Sequence, residues 1–333
     1  RPNCRNRLSK SCRQRPRNLQ ETDLHLFKDA FAIEIKKRAV WRLTGARILK
    51  YTVFSLRRRK FFTSFTHILP FSRIARLKLL FRLLTPAQTL DKGIWITDEW
   101  SAEYYHWLND ALPRLISVTH LAGKDFRVVL PAFYRERPYI PQTLALLGIE
   151  PYFYNPGKQL KVKTLLLPAH TSPLGNSNPD LTNRLRRLLA VKSEAAPHRK
   201  IYISRQKAKV RKVVNEAAVI ACLEGHGYEV HFFEDYTVAQ QIALLSQAVA
   251  VIGLHGAGLT NMLFMPPGGQ VLELRNEEDR NNCYFALASD LGHPYYYLTN
   301  KGNTADTYNV EIEVDIAKLQ EAVAQMERAG AEI

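Results

Sequence analysis

The 333-residue sequence is 46% hydrophobic and 23% charged, an ordinary globular composition, long enough for two domains and without an apolar run near the roughly 20 residues that span a bilayer. Its net charge of +16 is uneven: residues 1–82 carry 22 Lys or Arg against 4 Asp or Glu, and the remainder carries 25 against 27. That asymmetry points to an anionic surface as partner; no nucleic-acid recognition motif accompanies it, so an anionic membrane is expected and nucleic acid is not. Four scattered cysteines, Cys4, Cys12, Cys222 and Cys283, lack metal-ligand spacing, and reduced thiols of a cytosolic protein are the expected state.

The first element signal is FSRIARLKLLFRLLT (71–85). Phe71, Ile74, Leu77, Leu80, Phe81 and Leu84 recur at helical spacing, with Arg73, Arg76, Lys78 and Arg82 on other faces. A basic amphipathic helix with Phe and Leu on its apolar side suits a membrane interface, and equally a helix packed on the protein's own body with its charges in water. Upstream, Arg57-Arg58-Arg59-Lys60 beside Phe61-Phe62 repeats the theme. Together they predict a basic, mainly helical N-terminal region, 1–87, that attaches through residues 1–85 to an anionic membrane surface.

Beyond residue 90, short apolar runs alternate with helical patterns. Strands are predicted at 93–97, 126–131 and 161–169. A helix at 103–123 should be kinked or split by Pro113, and a second is expected over 139–149. The Pro-, Gly-, Ser- and Asn-rich stretch 170–180 reads as a connection, followed by a helix over 181–191. A second series then runs strand 199–205, helix from Asn215 and Glu216 to Leu223, strand 228–234, and a Thr237-capped helix to Ala248. Strand 248–256, a short helix near 258–265, strand 270–275, helix 283–292 and strand 295–299 complete it, with a closing amphipathic helix at 316–330. Alternation of this kind implies an α/β fold with parallel sheets: two Rossmann-like domains, 88–180 and 181–333, facing a cleft.

The stretch AVAVIGLHGAGLTNMLFMPPGGQVLEL (248–274) carries the most chemistry. In parallel sheets ligands bind beyond the carboxyl ends of strands, where this chain places Gly253, His255, Gly256 and Gly258. Glycines allow close approach of a ligand and unusual φ, and a helix starting near Ala257 adds free N–H groups, so an anion site is expected, with a nucleotide diphosphate as occupant. The spacing is not the dinucleotide fingerprint, whose third glycine is missing. Glu273, ending the next strand, is either an acceptor for ribose hydroxyls or a solvated strand-end charge.

Three blocks in order resemble one known family. GLHGAGLTNMLFMPPGGQVLEL is similar to the signature block of glycosyltransferase family 61, a family that takes in bacterial capsular polysaccharide proteins. YYHWLNDALPRL (104–115) looks like its N-terminal block, through His106, Trp107, Asp110, Pro113 and Arg114. YISRQKAKVRKVVNE (202–216) looks like its middle block, through Ser204, Arg205, Ala208, Arg211, Asn215 and Glu216. The resemblance spans about 90–300 and leaves residues 1–85 outside. It implies a GT-B-like fold and inverting transfer from a nucleotide sugar, commonly a UDP-sugar, to a hydroxyl of a glycan or lipid-linked glycan acceptor. It implies no required metal and no cofactor, and the chain contains no Asp-x-Asp.

Under that resemblance the leaving diphosphate must be stabilised by backbone donors at Gly256, Ala257 and Gly258 and by a cation, for which Arg205 at a strand end is suited. Arg205 also fits a surface charge in a basic segment. His106 and Asp110, spaced i, i+4, supply a general base, as either residue alone or as an imidazole oriented by the carboxylate; a hydrogen-bonded core histidine is the other reading. His255 is expected to contact phosphate or sugar or to make a structural hydrogen bond, and Thr260 and Asn261 to reach the nucleotide or hold the turn. The expected protein is a cytoplasmic transferase, peripheral on the inner face of the membrane, that extends a capsular, exo- or lipopolysaccharide. The competing reading is a non-catalytic nucleotide-binding protein held to membrane or nucleic acid by its basic region.

Overall fold

A computed structural model describes residues 9–35, 39–191, 196–304, 306 and 308–331; Cys4 and the first basic residues lie outside them. The chain divides into two compact units, one comprising Ile35–Pro173 and the other Lys10–Glu34 with Leu174–Ile333. The division therefore runs through the basic N-terminal region rather than at its end. Strands Ser9–Cys12 (β1) and Ala32–Ile35 (β2) form a small two-stranded sheet.

In the first unit, Val40–Leu49 (β3), Thr52–Ser55 (β4) and Lys60–Phe61 (β5) are joined by Ala87–Ile94 (β6), Arg127–Pro131 (β7), Pro151–Tyr154 (β8) and Gln159–Pro168 (β9). They form one seven-stranded sheet in the order β5-β4-β3-β9-β6-β7-β8. The pairs β3–β4, β4–β5 and β3–β9 are antiparallel, whereas β9–β6, β6–β7 and β7–β8 are parallel. The expectation of a mainly helical basic region is thus corrected: residues 40–61 contribute three strands. Leu43, Ala46 and Ile48 of β3 are buried while Arg42 and Thr44 are exposed, and Gly45, at φ +66°, interrupts the alternation that would have announced a strand. The helix predicted from 71 to 85 is present as Arg73–Leu80, continued by a 3₁₀ turn at Phe81–Leu84. Ser72 starts it by accepting from the Ala75 N–H at 3.1 Å.

The predicted helix across Pro113 is split. Tyr104–His106 is α-helical, Trp107–Ala111 is a π-turn, and Leu112–Val118 resumes the α-helix. Proline has no N–H to give to the carbonyl four residues back, so the ladder widens by one residue before it, and the Leu112 N–H bonds to the Trp107 carbonyl.

The second unit holds Arg199–Ile203 (β10), Tyr228–His231 (β11), Ala248–Leu254 (β12), Gln270–Asn276 (β13) and Tyr295–Asn300 (β14), close to the predicted positions. All four pairings are parallel, in the order β11-β10-β12-β13-β14. Tyr202, Ile252, Leu272 and Leu298 pack on one side with Val219 and Leu223 of helix Glu216–Gly225 and with Leu319, Val323 and Met326 of the closing helix Ile316–Ala331. Helix Val238–Leu245 begins at a capping box in which Thr237 and Gln240 satisfy each other's N–H groups. The strand order reverses between β10 and β12. In sheets of this type ligands bind beyond the carboxyl ends of the strands at that reversal.

Candidate active site

The first candidate group lies in the Ile35–Pro173 unit, where chain segments leave the carboxyl ends of β6 and β9. The Nδ1 of His106 is 2.6 Å from the Oδ2 of Asp110. The π-turn buries Asp110 while His106 keeps part of its ring accessible, between Tyr105 and the partly exposed Trp100, whose ring centroids lie 5.2 Å and 6.0 Å from that of the imidazole. Burial raises the Asp110 pKa, and the hydrogen bond and charge of His106 act against that rise. The carboxylate fixes the imidazole through Nδ1, which leaves Nε2 as the ring atom able to take a proton.

A second His–Asp pair, not anticipated from sequence spacing, lies close enough to act on Asp110 through its charges. Asp98 follows β6, and His170 follows β9; the His170 Nε2 is 3.0 Å from the Asp98 Oδ2. Asp98 accepts from the N–H groups of Trp100 and Ser101 and from the Ser101 hydroxyl, at 2.9 to 3.1 Å. Arg114, wholly buried, donates to the carbonyl of Pro168 at 2.8 Å and to that of Phe65, with Nη1 3.8 Å from Asp98. Burial by itself would raise the Asp98 pKa; the His170 hydrogen bond and the Arg114 charge outweigh it and hold the group at about 2. Burial brings Arg114 down to about 10, so both partners stay ionised at neutral pH. The charge of Asp98 in turn pushes Asp110 upward, and that of His170 pulls it down. The local signal for this pair is weak, because 72 residues separate its members and only the parallel pairing of β6 with β9 unites them.

The second group lies in the other unit, at the sheet reversal. Arg205 follows β10. Its Nε and Nη2 each donate at 2.8 Å to carbonyls of its own loop, those of Arg211 and Val210. The backbone N–H of Arg205 donates to the Glu216 carboxylate at 3.1 Å, which also receives the Tyr202 hydroxyl at 2.9 Å, so Glu216 ties the strand end to the following helix. Burial lowers the Arg205 pKa, and among the described residues no carboxylate forms an ion pair with its guanidinium.

Gly256 faces that guanidinium: a Cβ there would stand 2.4 Å from the Arg205 Nη1, and one at Gly258 would stand 2.9 Å from the Ile203 Cγ2. The expectation that these glycines supply unusual φ is corrected. Neither has a left-handed φ, and Gly256 is extended at φ 173°; a side chain at either position would require Arg205 or Ile203 to shift. A 3₁₀ helix, Ala257–Phe264, follows.

The remaining predicted residues are more deeply set than expected. Thr260 and Asn261 are buried, and the Asn261 side chain turns back to the Gly258 carbonyl at 3.0 Å, which holds the turn. Glu273 is neither a solvated strand end nor open to a ribose. It is fully buried in the middle of β13, with one carboxylate oxygen on the His255 Nδ1 and the other receiving the Tyr295 hydroxyl. Both faces of a strand inside a parallel sheet are covered, so a charge there must be paired internally. Burial would raise the Glu273 pKa, but the charge and hydrogen bond of His255 outweigh it and lower it. His255 is therefore oriented by Glu273, with the Asp279 carboxylate 3.6 Å away and the Tyr284 ring edge-on at 4.8 Å. Among the described residues no group of three or more His, Cys, Asp or Glu side chains is arranged to hold a metal ion, and Cys12, Cys222 and Cys283 are free thiols.

The family model described as Glycosyltransferase 61 matches residues 104–272, half of the chain, and that match contains His106, Asp110, Arg205 and the 253–258 turn. The EGF domain-specific O-linked N-acetylglucosamine transferase of Drosophila melanogaster is 41% identical over 98 residues, 28% of this chain and 18% of that protein. Its counterparts in Rattus norvegicus and Gallus gallus are 31% identical over 105 residues and 33% over 88, covering 30% and 26% of this chain and 19% and 16% of theirs. The chain thus spans about a fifth of the length of the curated relatives it matches.

Proposed function

The chain belongs to glycosyltransferase family 61, and from that premise we propose that it moves a sugar from a nucleotide-sugar donor, of the UDP-sugar kind, to a hydroxyl of a glycan or lipid-linked glycan acceptor, with inversion. The observation that carries the donor half is Arg205: a half-buried guanidinium that, among the described residues, forms no ion pair with a carboxylate, pressed against a glycine at the reversal of a parallel sheet. A diphosphate is an anion suited to that place, meeting Nη1 and the N–H groups that open the turn at Ala257 and Gly258. His255, oriented by Glu273, keeps Nε2 for the phosphate or the sugar.

In this reading the acceptor hydroxyl gives its proton to the His106 Nε2 while Asp110 stabilises the forming imidazolium through Nδ1. The acceptor oxygen bonds to the anomeric carbon from the face opposite the leaving group. The bond from that carbon to the diphosphate oxygen breaks, and its electron pair leaves with the nucleotide, where Arg205 and the turn's N–H groups offset the charge. The exposed ring of Trp100 beside His106 offers an acceptor sugar an apolar platform. A GT-B-like fold, with donor residues on the second unit and acceptor residues on the first, belongs to this reading. So does activity without a divalent cation, in the building of a capsular, exo- or lipopolysaccharide.

The test is a thermal-melting screen with UDP, GDP, CMP and TDP in the presence of a chelator. At least one should raise the melting temperature, and Arg205→Ala should abolish that shift. If none of them shifts melting, the donor half fails. Transfer from the donor so found should fall about 10²- to 10⁴-fold in His106→Ala; unchanged turnover would remove the dyad from the chemistry.

A further inference from the structure

The helix Arg73–Leu80 and its 3₁₀ continuation carry two apolar faces where one would suffice. Leu79, Leu80 and Leu83 face inward and join Leu49, Phe54, Phe61 and Phe71 in a small core cluster. Ile74, Leu77, Phe81 and Leu84, spaced i, i+3, i+7 and i+10, form a second ridge that is 62–86% exposed. Single exposed leucines are ordinary, but an aligned ridge of four with Leu69 exposed upstream is a surface awaiting a partner.

The charge around the ridge selects that partner. From Ile35 to Leu90 the sequence has 14 Lys or Arg and no Asp or Glu. Arg73, Arg76 and Lys78 flank the ridge and are exposed. The turn Arg57–Lys60, also exposed, links β4 to β5, whose Phe54 and Phe61 rings lie 4.6 Å apart in the same cluster that seats the helix. Glu99, an acidic side chain that reaches His67 and the chain just before the helix, is occupied by His67 and the Ile68 N–H at 2.9 Å each. A phosphate backbone would be met by the cations alone and would leave the apolar ridge in water. An anionic lipid surface satisfies both, with the ridge among the acyl chains and the cations at the headgroups. Among the described residues no helix is long and apolar enough to cross a membrane, so the contact is interfacial.

We propose that the ridge Ile74, Leu77, Phe81 and Leu84, with the basic turn Arg57–Lys60, is the face by which this protein docks on an anionic bilayer. The docking stands on exposure and charge, independently of the catalytic reading, and its test uses no turnover. The full chain is sedimented with vesicles of phosphatidylcholine alone and of phosphatidylcholine with phosphatidylserine, over a salt series. It should partition to the anionic vesicles, less so as salt rises, and little to the neutral ones. The triple variant Ile74→Ser/Leu77→Ser/Phe81→Ser should lose at least about tenfold in partition; the inward leucines are kept, and an unchanged melting temperature verifies the fold. Arg57→Gln/Arg59→Gln/Lys60→Gln should lose a comparable factor and flatten the salt dependence. Partition that survives the serine variant overturns the proposal. So does a self-associated wild type that ignores vesicles and becomes monomeric in the serine variant. Binding to duplex nucleic acid in preference to anionic vesicles, unaffected by the serines, overturns it as well.

Discussion

At the residue scale, the proposed role of Asp110 in the chemistry and a purely structural role predict opposite outcomes for its removal. Its pKa is raised chiefly by burial, so its favourable contribution to folding is complete below the ordinary carboxylate range, about 3.9, and is lost as pH rises through the higher folded value. Its ionised form therefore detracts from stability. Asn is nearly isosteric, accepts a hydrogen bond from the His106 Nδ1 and carries no charge to desolvate. Asp110→Asn should melt at the wild-type temperature or above it while kcat falls by about 10²-fold or more, measured by differential scanning calorimetry beside a transfer assay. A lowered melting temperature with kcat intact would make Asp110 a structural residue. Asp98 is the opposite case: its pKa is depressed, so its ionised form is stabilising at neutral pH.

At the element scale, what matters is the fit between two segments, the loop Arg205–Arg211 and the turn after β12. Arg205 is bonded to two carbonyls of its loop and pressed on Gly256, so the loop and the turn share one guanidinium. A methyl group at position 256 has no room unless Arg205 moves, and Arg205 cannot move without releasing the Val210 and Arg211 carbonyls. Gly256→Ala should leave far-UV circular dichroism unchanged, diminish the nucleotide-induced melting shift and lower turnover on the order of 10²-fold. A full nucleotide shift in that variant would show that the close approach is incidental. Sequence periodicity disclosed β10 to β14 and their helices, because a buried parallel strand is a continuous apolar run between turn signals. It did not disclose β3 to β5, where Gly45 breaks the alternation of β3 and β4 and β5 are only four and two residues long. Local spacing placed His106 with Asp110, since one helical turn joins them. It could not place His170 with Asp98 or seat Glu273 under His255, because neighbouring strands make those meetings.

At the scale of the whole molecule, buried carboxylates decide how the fold responds to acid. Asp98 in one unit and Glu273 in the other both have depressed pKa values, so each contributes stability that is present above the ordinary carboxylate range and lost as pH falls through the folded value. For Asp98 the window runs from about 3.9 down to about 2, and the contribution is about 2–3 kcal/mol. Asp98→Asn removes that term and leaves the Arg114 guanidinium buried without its counter-charge, a loss of about 3–5 kcal/mol when one partner of a buried pair is deleted. The four tryptophans, Trp41, Trp95, Trp100 and Trp107, all lie within Ile35–Pro173, so intrinsic fluorescence reports on the unit that holds Asp98. Urea unfolding followed by fluorescence should show Asp98→Asn less stable by about 2–5 kcal/mol at pH 7. The gap should close as pH falls from 4 toward 2, because protonation then deprives wild-type Arg114 of the same partner. Acid limbs that run parallel for the two proteins would mean that Asp98 titrates in the folded state as it does in the unfolded chain, and that its hydrogen bonds alone account for the loss.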